Sequence, residues 1–331
     1  MICFQADYVK NFFCDGKFCS SRCCREWKIP VDDETLKNFS NLDAHAQDFI
    51  FSQITDSTIN LTEKNFCAFL DRRDFLCKIQ KAHGEFFLPK ICQTYPRVIY
   101  RLDKNIFTQS VTLTCPVAAN LILLRDEPIF FEKVESFSGR LVIDFRDRIK
   151  IPAEKAVALQ LDAVKILQNK NFSINRRLKN ICEFFGAKNF PTFDFEMHAA
   201  TLIDIFVKMY GVNLSDDNKK ILRDNYLQNK NIKFPEKILE NYLVNEFFMR
   251  CYPYAFLADA LTNCKIFVTS FKVLQFALIL TAIAKKNLSA QDWINLICAV
   301  NDKIDHSKGG MDAIKNVVVN CDENFSALML E

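Results

Sequence analysis

The sequence predicts a mainly α-helical chain in two parts: a small, irregular, cysteine-rich N-terminal unit over residues 1–127, and a helical, bundle-like domain over residues 128–331. Three observations carry this reading. Eight of the fourteen cysteines fall between Cys14 and Cys115. Beyond Pro152 the apolar residues recur at helical spacing. Glycine occurs only seven times in 331 residues, and alternating polar and apolar runs are scarce, so a bundle is favoured over an extended sheet.

The first thiol group lies in Cys14-Asp-Gly-Lys-Phe-Cys-Ser-Ser-Arg-Cys-Cys24, and Pro30 ends any helix begun there. Asp32 or Asp33 can cap a short helix through Leu36 and Phe39. Over residues 61–97 each cysteine sits beside large apolar residues: Phe66-Cys67, Leu76-Cys77 and Ile91-Cys92. Thiolates gathered from separate turns under an apolar cover need this setting, because the cover keeps water away. Thr114-Cys115-Pro116 reads as a helix start, with the helix running to about Leu124. Residues 128–150 look extended and charged, and the junction between the two parts is placed there.

In the second part Val157, Leu161, Val164 and Leu167 form one stripe, and Leu202, Ile205 and Met209 form another that Gly211 is placed to end. Leu222 with Tyr226, then Phe271, Leu274 and Leu278, then Trp293, Leu296, Val300 and Ile304 follow the same rule. Ile266–Ala284 is the most apolar stretch, but Lys272 and Gln275 interrupt it, leaving less than the ~20 residues of a spanning helix. It is read as a buried helix, with attachment to a membrane face as the lesser alternative.

Charge excludes little and supports little. Forty-three Lys and Arg against forty Asp and Glu give a formal charge of +3, too weak a balance to call for a nucleic-acid partner. The first residues carry no basic stretch followed by an apolar run, so a cytoplasmic location is expected. In that reducing setting clustered thiols are metal or redox ligands more often than disulfides. The N-terminal part is therefore read as a metal-binding unit, with Cys14, Cys19, Cys23, Cys24, Cys67, Cys77, Cys92 and Cys115 as its candidate ligands.

Three readings of the thiols stay open. Structural zinc needs four ligands in a tetrahedral shell, usually from paired C-x2-C knuckles, and no such knuckle is present. An iron–sulfur cluster tolerates irregular intervals such as Cys14-x4-Cys19 and Cys19-x3-Cys23. Plain buried cysteines are the third. Other familiar sites are missing: the glycines form no G-x-G-x-x-G, and His45, His83, His198 and His306 show no H-x-x-x-H spacing. Tyr95 and Arg97 stand close to Cys92 and are the candidate catalytic and cofactor-binding residues.

The order of these residues resembles the flagellin lysine-N-methylase family. The likeness runs through Cys14, Cys19, Cys23-Cys24, Trp27-Lys28-Ile29, Cys67, Cys77, Gly84, Cys92-x2-Tyr95-Pro96-Arg97 and Cys115-Pro116, then through Glu240-Asn-Tyr-Leu-Val-Asn-Glu246 and Tyr252-Pro253. It implies transfer of methyl groups from S-adenosylmethionine to lysine ε-amines of flagellin, dependent on an iron–sulfur cluster, of the 4Fe-4S type, held by the cysteines. Zinc is the alternative metal. Radical enzymes using this donor carry C-x3-C-x2-C, and here Glu26 stands where the third cysteine belongs, so polar transfer stays open. Arg97 is expected to pair with the donor's carboxylate and Tyr95 to sit beside the reacting groups. The rival expectation is a zinc- or iron-binding structural or interaction module, or an electron-transfer protein, with no methyltransferase activity. The oligomeric state is left open.

Overall fold

The computed structural model describes residues 1–19, 22–188, 195–256, 258–285, 287–307 and 309–320. The chain divides into two compact units, Met1–Ala118 with Glu132–Asp144, and Ala119–Phe131 with Phe145–Glu331. Helices dominate, as the sequence predicts, and the first unit adds a five-stranded sheet that the sequence reading did not anticipate.

That sheet runs in the order Phe131–Val134, Ile2–Ala6, Ile106–Val111, Arg97–Arg101, Ile143–Asp144. Ile2–Ala6 pairs parallel with Ile106–Val111, which pairs antiparallel with Arg97–Arg101 in the register Arg97 to Val111. Every residue of the central strand Ile106–Val111 is buried, so both its faces are covered and no polar–apolar alternation is left to read. Its polar members are accommodated inside: Ser110 Oγ lies 2.6 Å from Tyr8 Oη, and Gln109 Nε2 donates to the Ser138 carbonyl. Gly139 closes the edge of this layer with φ +118, and a Cβ there would meet Ile99 Cδ1 at 2.9 Å.

Beside the sheet, short turns carry the cysteines. Asp33–Phe39 is capped by Asp32, whose carboxylate accepts the Thr35 N–H at 3.2 Å. The hairpin Ile54–Thr55 to Thr58–Ile59 turns through Asp56 and Ser57, both at positive φ, the pairing a tight two-residue hairpin turn requires. A second hairpin pairs Leu70–Asp71 with Leu76–Cys77. Ile29, Val31, Phe39, Ile50, Ile59, Phe69, Ile79 and Leu88 make the core under these turns.

The second unit holds the helices Ala153–Leu167, Ile174–Phe184, Phe195–Tyr210, Asp216–Asn229, Glu236–Met249, Ala260–Ala284, Ala290–His306 and Gly310–Asn320. Gly211, at φ +62, follows the third as expected. Ser289 and Asp292 form a reciprocal capping box that starts the seventh. Ala260–Ala284 is long and apolar enough to cross a membrane, and 72% of its most apolar window is buried inside the protein, in line with the buried-helix reading. Glu236–Met249 is buried from Ile238 onward on all sides, so its polar residues are satisfied internally. Arg177 reaches Glu240 and Glu236 at 2.8 Å each, Arg250 reaches Glu246 at 2.7 Å and Asp305 at 2.5 Å, and Asn241 donates to the Arg125 carbonyl at 3.0 Å.

Candidate metal centre

The candidate cysteines of the first unit are delivered by several separate pieces of backbone. Cys19 ends the helical turn Gly16–Cys19, which Asp15 starts by accepting the Phe18 N–H at 3.1 Å. Cys23 and Cys24 lie in the 3-10 turn Arg22–Cys24. Cys77 precedes the helix Lys78–His83, Cys92 lies within Lys90–Thr94, and Cys115 immediately precedes Pro116–Leu123. Left-handed residues adjust three of these turns: Glu26 at φ 58 after Cys24, Asn65 at φ 57 before Cys67, and Phe75 at φ 58 before Cys77. Asn adopts this conformation readily, but for a ring as bulky as Phe75 it is unfavourable and must be held by its surroundings. Long-range backbone bonds lock the arrangement: Cys67 N–H donates to the Cys24 carbonyl at 2.8 Å and Glu26 N–H to Asn65 at 2.7 Å.

The result is convergence. All eight candidate thiols line one cavity of about 390 Å³, together with Phe12, Trp27, Phe69, Leu88, Tyr95 and Arg97. Apolar walls make ionisation costly in the metal-free protein. Burial pushes Cys14 up to about 11, with Cys23 and Cys19 adding to it, and raises Cys67 to about 11 and Cys115 to about 12. Cys92 is raised well above its ordinary value by burial. Local donors work the other way. The backbone N–H groups of Phe69 and Leu70 lower the proton affinity of Cys67, those of Gln80 and Ile79 that of Cys77, and those of Ala118 and Val117 that of Cys115. Hydrogen bonds of this kind favour the thiolate that a metal takes.

The donor set suits a thiolate-held group. Among the described residues no three His, Cys, Asp or Glu side chains form a ready-made site for a single ion.

Tyr95 and Arg97 lie on the same wall. The Tyr95 ring meets Trp27 edge to face with centroids 5.4 Å apart, and Tyr95 Oη lies 3.1 Å from Thr114 Oγ1. Arg97 stacks over Phe12 with its guanidinium carbon 5.2 Å from the ring centroid and donates to the Phe12 carbonyl at 3.4 Å. Its buried Nε has no partner, it forms no ion pair among the described residues, and burial lowers its proton affinity. The charges of Glu85 and Cys14 act against that effect, and the unpartnered Nε still has a hydrogen bond to give. The sequence reading did not single out Phe12, Arg22 and Glu85, which also line the cavity; Arg22 lies inside the Cys14–Cys24 motif, and Phe12 and Glu85 lie outside any motif. His83 packs against Phe87 with centroids 5.8 Å apart and is not part of the wall.

Comparison with known proteins divides the chain in the same two ways. Residues 13–116 match the CxxCxxCC family model, described as "Putative zinc- or iron-chelating domain", and residues 188–330 match the FliB lysine N-methylase C-terminal domain. The resemblance to the lysine-N-methylase family is thereby shown. The "Flagellar biosynthetic protein FliU" of Salmonella muenchen is 29% identical over 150 residues, 41% of this chain and 85% of that protein. The "Lysine-N-methylase" of Salmonella choleraesuis is 26% identical over 193 residues, 54% of this chain and 45% of that protein, and that of Salmonella typhimurium matches to the same extent. The match thus spans less than half the length of these lysine-N-methylases. No solved structure matches. The FliB-type region includes the buried Glu240–Glu246 motif of the second unit, and the CxxCxxCC region includes all eight cavity thiols.

Proposed function

We propose that the protein transfers methyl groups from S-adenosylmethionine to lysine ε-amines of flagellin in the cytoplasm, using an iron–sulfur cluster held by thiolates of the cysteine-lined cavity. The observation that supports the reading is that all eight cysteines line one cavity with Arg97, whose buried Nε has no hydrogen-bond partner, in a chain that matches a zinc- or iron-chelating domain in its first part and the FliB lysine N-methylase C-terminal domain in its second.

The three or four thiolates that would hold the cluster are drawn from Cys14, Cys19, Cys23, Cys24, Cys67, Cys77, Cys92 and Cys115. When bound, it would supply an iron able to take up the amino and carboxylate groups of the donor. The protein's own side chains have three further tasks. Arg97 pairs with the donor's carboxylate, a charge-assisted contact favoured by its buried and unpaired Nε. The rings of Trp27 and Tyr95, which line the cavity, could meet the positively charged sulfonium by cation–π attraction. The apolar wall excludes water from the incoming lysine. An amine with an ordinary pKa of about 10.4 must lose its proton before it can attack a methyl group, and desolvation lowers that value. Tyr95, with Oη on Thr114, is the group placed to accept or pass on that proton.

Oxygen-free purification followed by incubation with labelled methyl donor and flagellin tests the reading. Label on flagellin lysines, lost when iron is removed, is the expected result. Iron bound with no label transferred would assign the protein to metal binding or electron transfer instead.

A further inference from the structure

The cavity has a mouth, and an acid stands in it. Phe13, Cys14, Gln80 and Glu85 line the cavity and are also exposed, so they mark where it opens to solvent. Glu85 is the one carboxylate among the described lining residues, set against the guanidinium groups of Arg22 and Arg97. Its backbone is fixed from both sides. Gly84, at φ +87, leads into the turn Glu85–Phe87, and Leu88 N–H donates back to the Glu85 carbonyl at 3.0 Å. The buried amide of Gln93 pins the same turn by donating to the Phe86 and Leu88 carbonyls at 3.1 and 2.6 Å. The Glu85 carboxylate itself enters no hydrogen bond or ion pair among the described residues, and the charge it acts on is that of Arg97. Two large rings stand in water at this opening: Phe13 at 78% exposure, and Phe86, next to Glu85 in the chain, at 58%.

We infer that Glu85 is a substrate-binding residue that receives the ε-ammonium of the incoming lysine at the cavity mouth, while Phe13 and Phe86 cover the lysine stem. The inference rests on the methyl-transfer reading above and adds to it the group that selects the charge of the substrate. Lysine arrives as a cation, since its ordinary pKa is about 10.4. Apolar walls and two guanidinium groups oppose its entry. A carboxylate at the threshold offsets both, and its exposed position lets the amine stay charged until it moves inward and is desolvated. The rest of the lysine side chain suits the same surroundings. Its four-carbon stem can lie on exposed rings while the head group keeps a polar partner. A fixed backbone and an unengaged carboxylate also leave little to reorganise when the ammonium binds.

The test measures binding of flagellin to the iron-loaded full chain. Flagellin is used untreated, with its lysines dimethylated, which keeps the charge, and with its lysines acetylated, which removes it. Wild type is expected to bind the first two alike and the acetylated form at least about 10-fold more weakly. Glu85→Gln should lose this preference and bind all three at the weak level. In methyl transfer, Glu85→Gln should raise KM for flagellin by about 10-fold, with kcat, iron content and affinity for the methyl donor near wild type. Glu85→Asp, which keeps the charge, should recover part of the loss. A charge preference retained in Glu85→Gln overturns the inference. So does a loss of donor affinity in its place, which would make Glu85 a part of the Arg97 site. In both cases label moved by the wild type leaves the methyltransferase reading standing. Wild-type protein that moves no label overturns that reading and this inference with it.

Discussion

The thiol of Cys24 hydrogen-bonds to the sulfur of its chain neighbour Cys23, lowering the proton affinity of Cys23 and raising that of Cys24. Metal taken up by either sulfur as a thiolate must displace its proton. Replacing both residues, Cys23→Ser with Cys24→Ser, is expected to abolish the brown colour of loaded protein together with methyl transfer. Absorbance, iron content and label incorporation check it, and retention of all three would assign the pair to packing.

Arg97 can be separated from the thiols. Removing a charge-assisted contact costs about 1.5–3 kcal/mol, so Arg97→Ala should weaken donor binding by roughly 10- to 100-fold. Iron content should stay at the wild-type level, because Arg97 bonds to the Phe12 carbonyl and ring and not to a thiol. Calorimetric titration with the methyl donor, beside an iron assay, distinguishes this from a folding role in which both fall together.

Tyr95→Phe deletes one oxygen and leaves the edge contact with Trp27 in place. If the hydroxyl moves the lysine proton, methyl transfer should slow by about 100-fold, with donor affinity and iron content unchanged. An unaltered rate would leave Oη only its bond to Thr114.

The second unit gives a stability test. Arg177 is fully buried, pairs with Glu240 and Glu236, and donates to the Phe172 and Leu167 carbonyls at 2.8 and 3.2 Å. Arg177→Met leaves the buried Glu240 with Lys237 as its remaining ion-pair partner at 3.1 Å and should cost up to about 3–5 kcal/mol in urea unfolding. Adding Glu240→Gln removes that charge and should restore part of the loss.

His198 gives a pH test. Burial, with Lys272 nearby, lowers its value from the ordinary 6.5 to about 3. The unfolded chain takes up this proton below about pH 6.5 and the folded chain does not until about pH 3, so its contribution is complete above that window and is lost as pH falls through it. Within the window stability should fall by up to about 1.4 kcal/mol per pH unit from this group alone. His198→Phe, which keeps a ring beside Tyr226, should flatten this part of the profile in thermal melts between pH 4 and 7.

Local chemistry was legible along the chain because it needs only near neighbours. Asp32 caps its helix, Pro116 opens another and Gly211 follows a third, each where turn geometry demands that residue type. Other features have no local sign. The strand Ile106–Val111 is covered on both faces, which erases the alternation that marks a strand, so the sheet went unread. The left-handed turns at Glu26 and Phe75 belong to residue types that seldom adopt them, and nothing short of the surrounding packing specifies them.

By itself the sequence determined the number and clustering of the thiols, the helical character of the second part and the resemblance to lysine-N-methylases, since composition, periodicity and motif order are properties of the chain as written. Only the tertiary structure decided that eight cysteines line one cavity, that four of them share the apolar core while four do not, and that Arg97 is buried beside them with its Nε unpartnered. Those relations depend on contacts such as Cys67 to Cys24 between distant segments, which exist only after the intervening loop has closed.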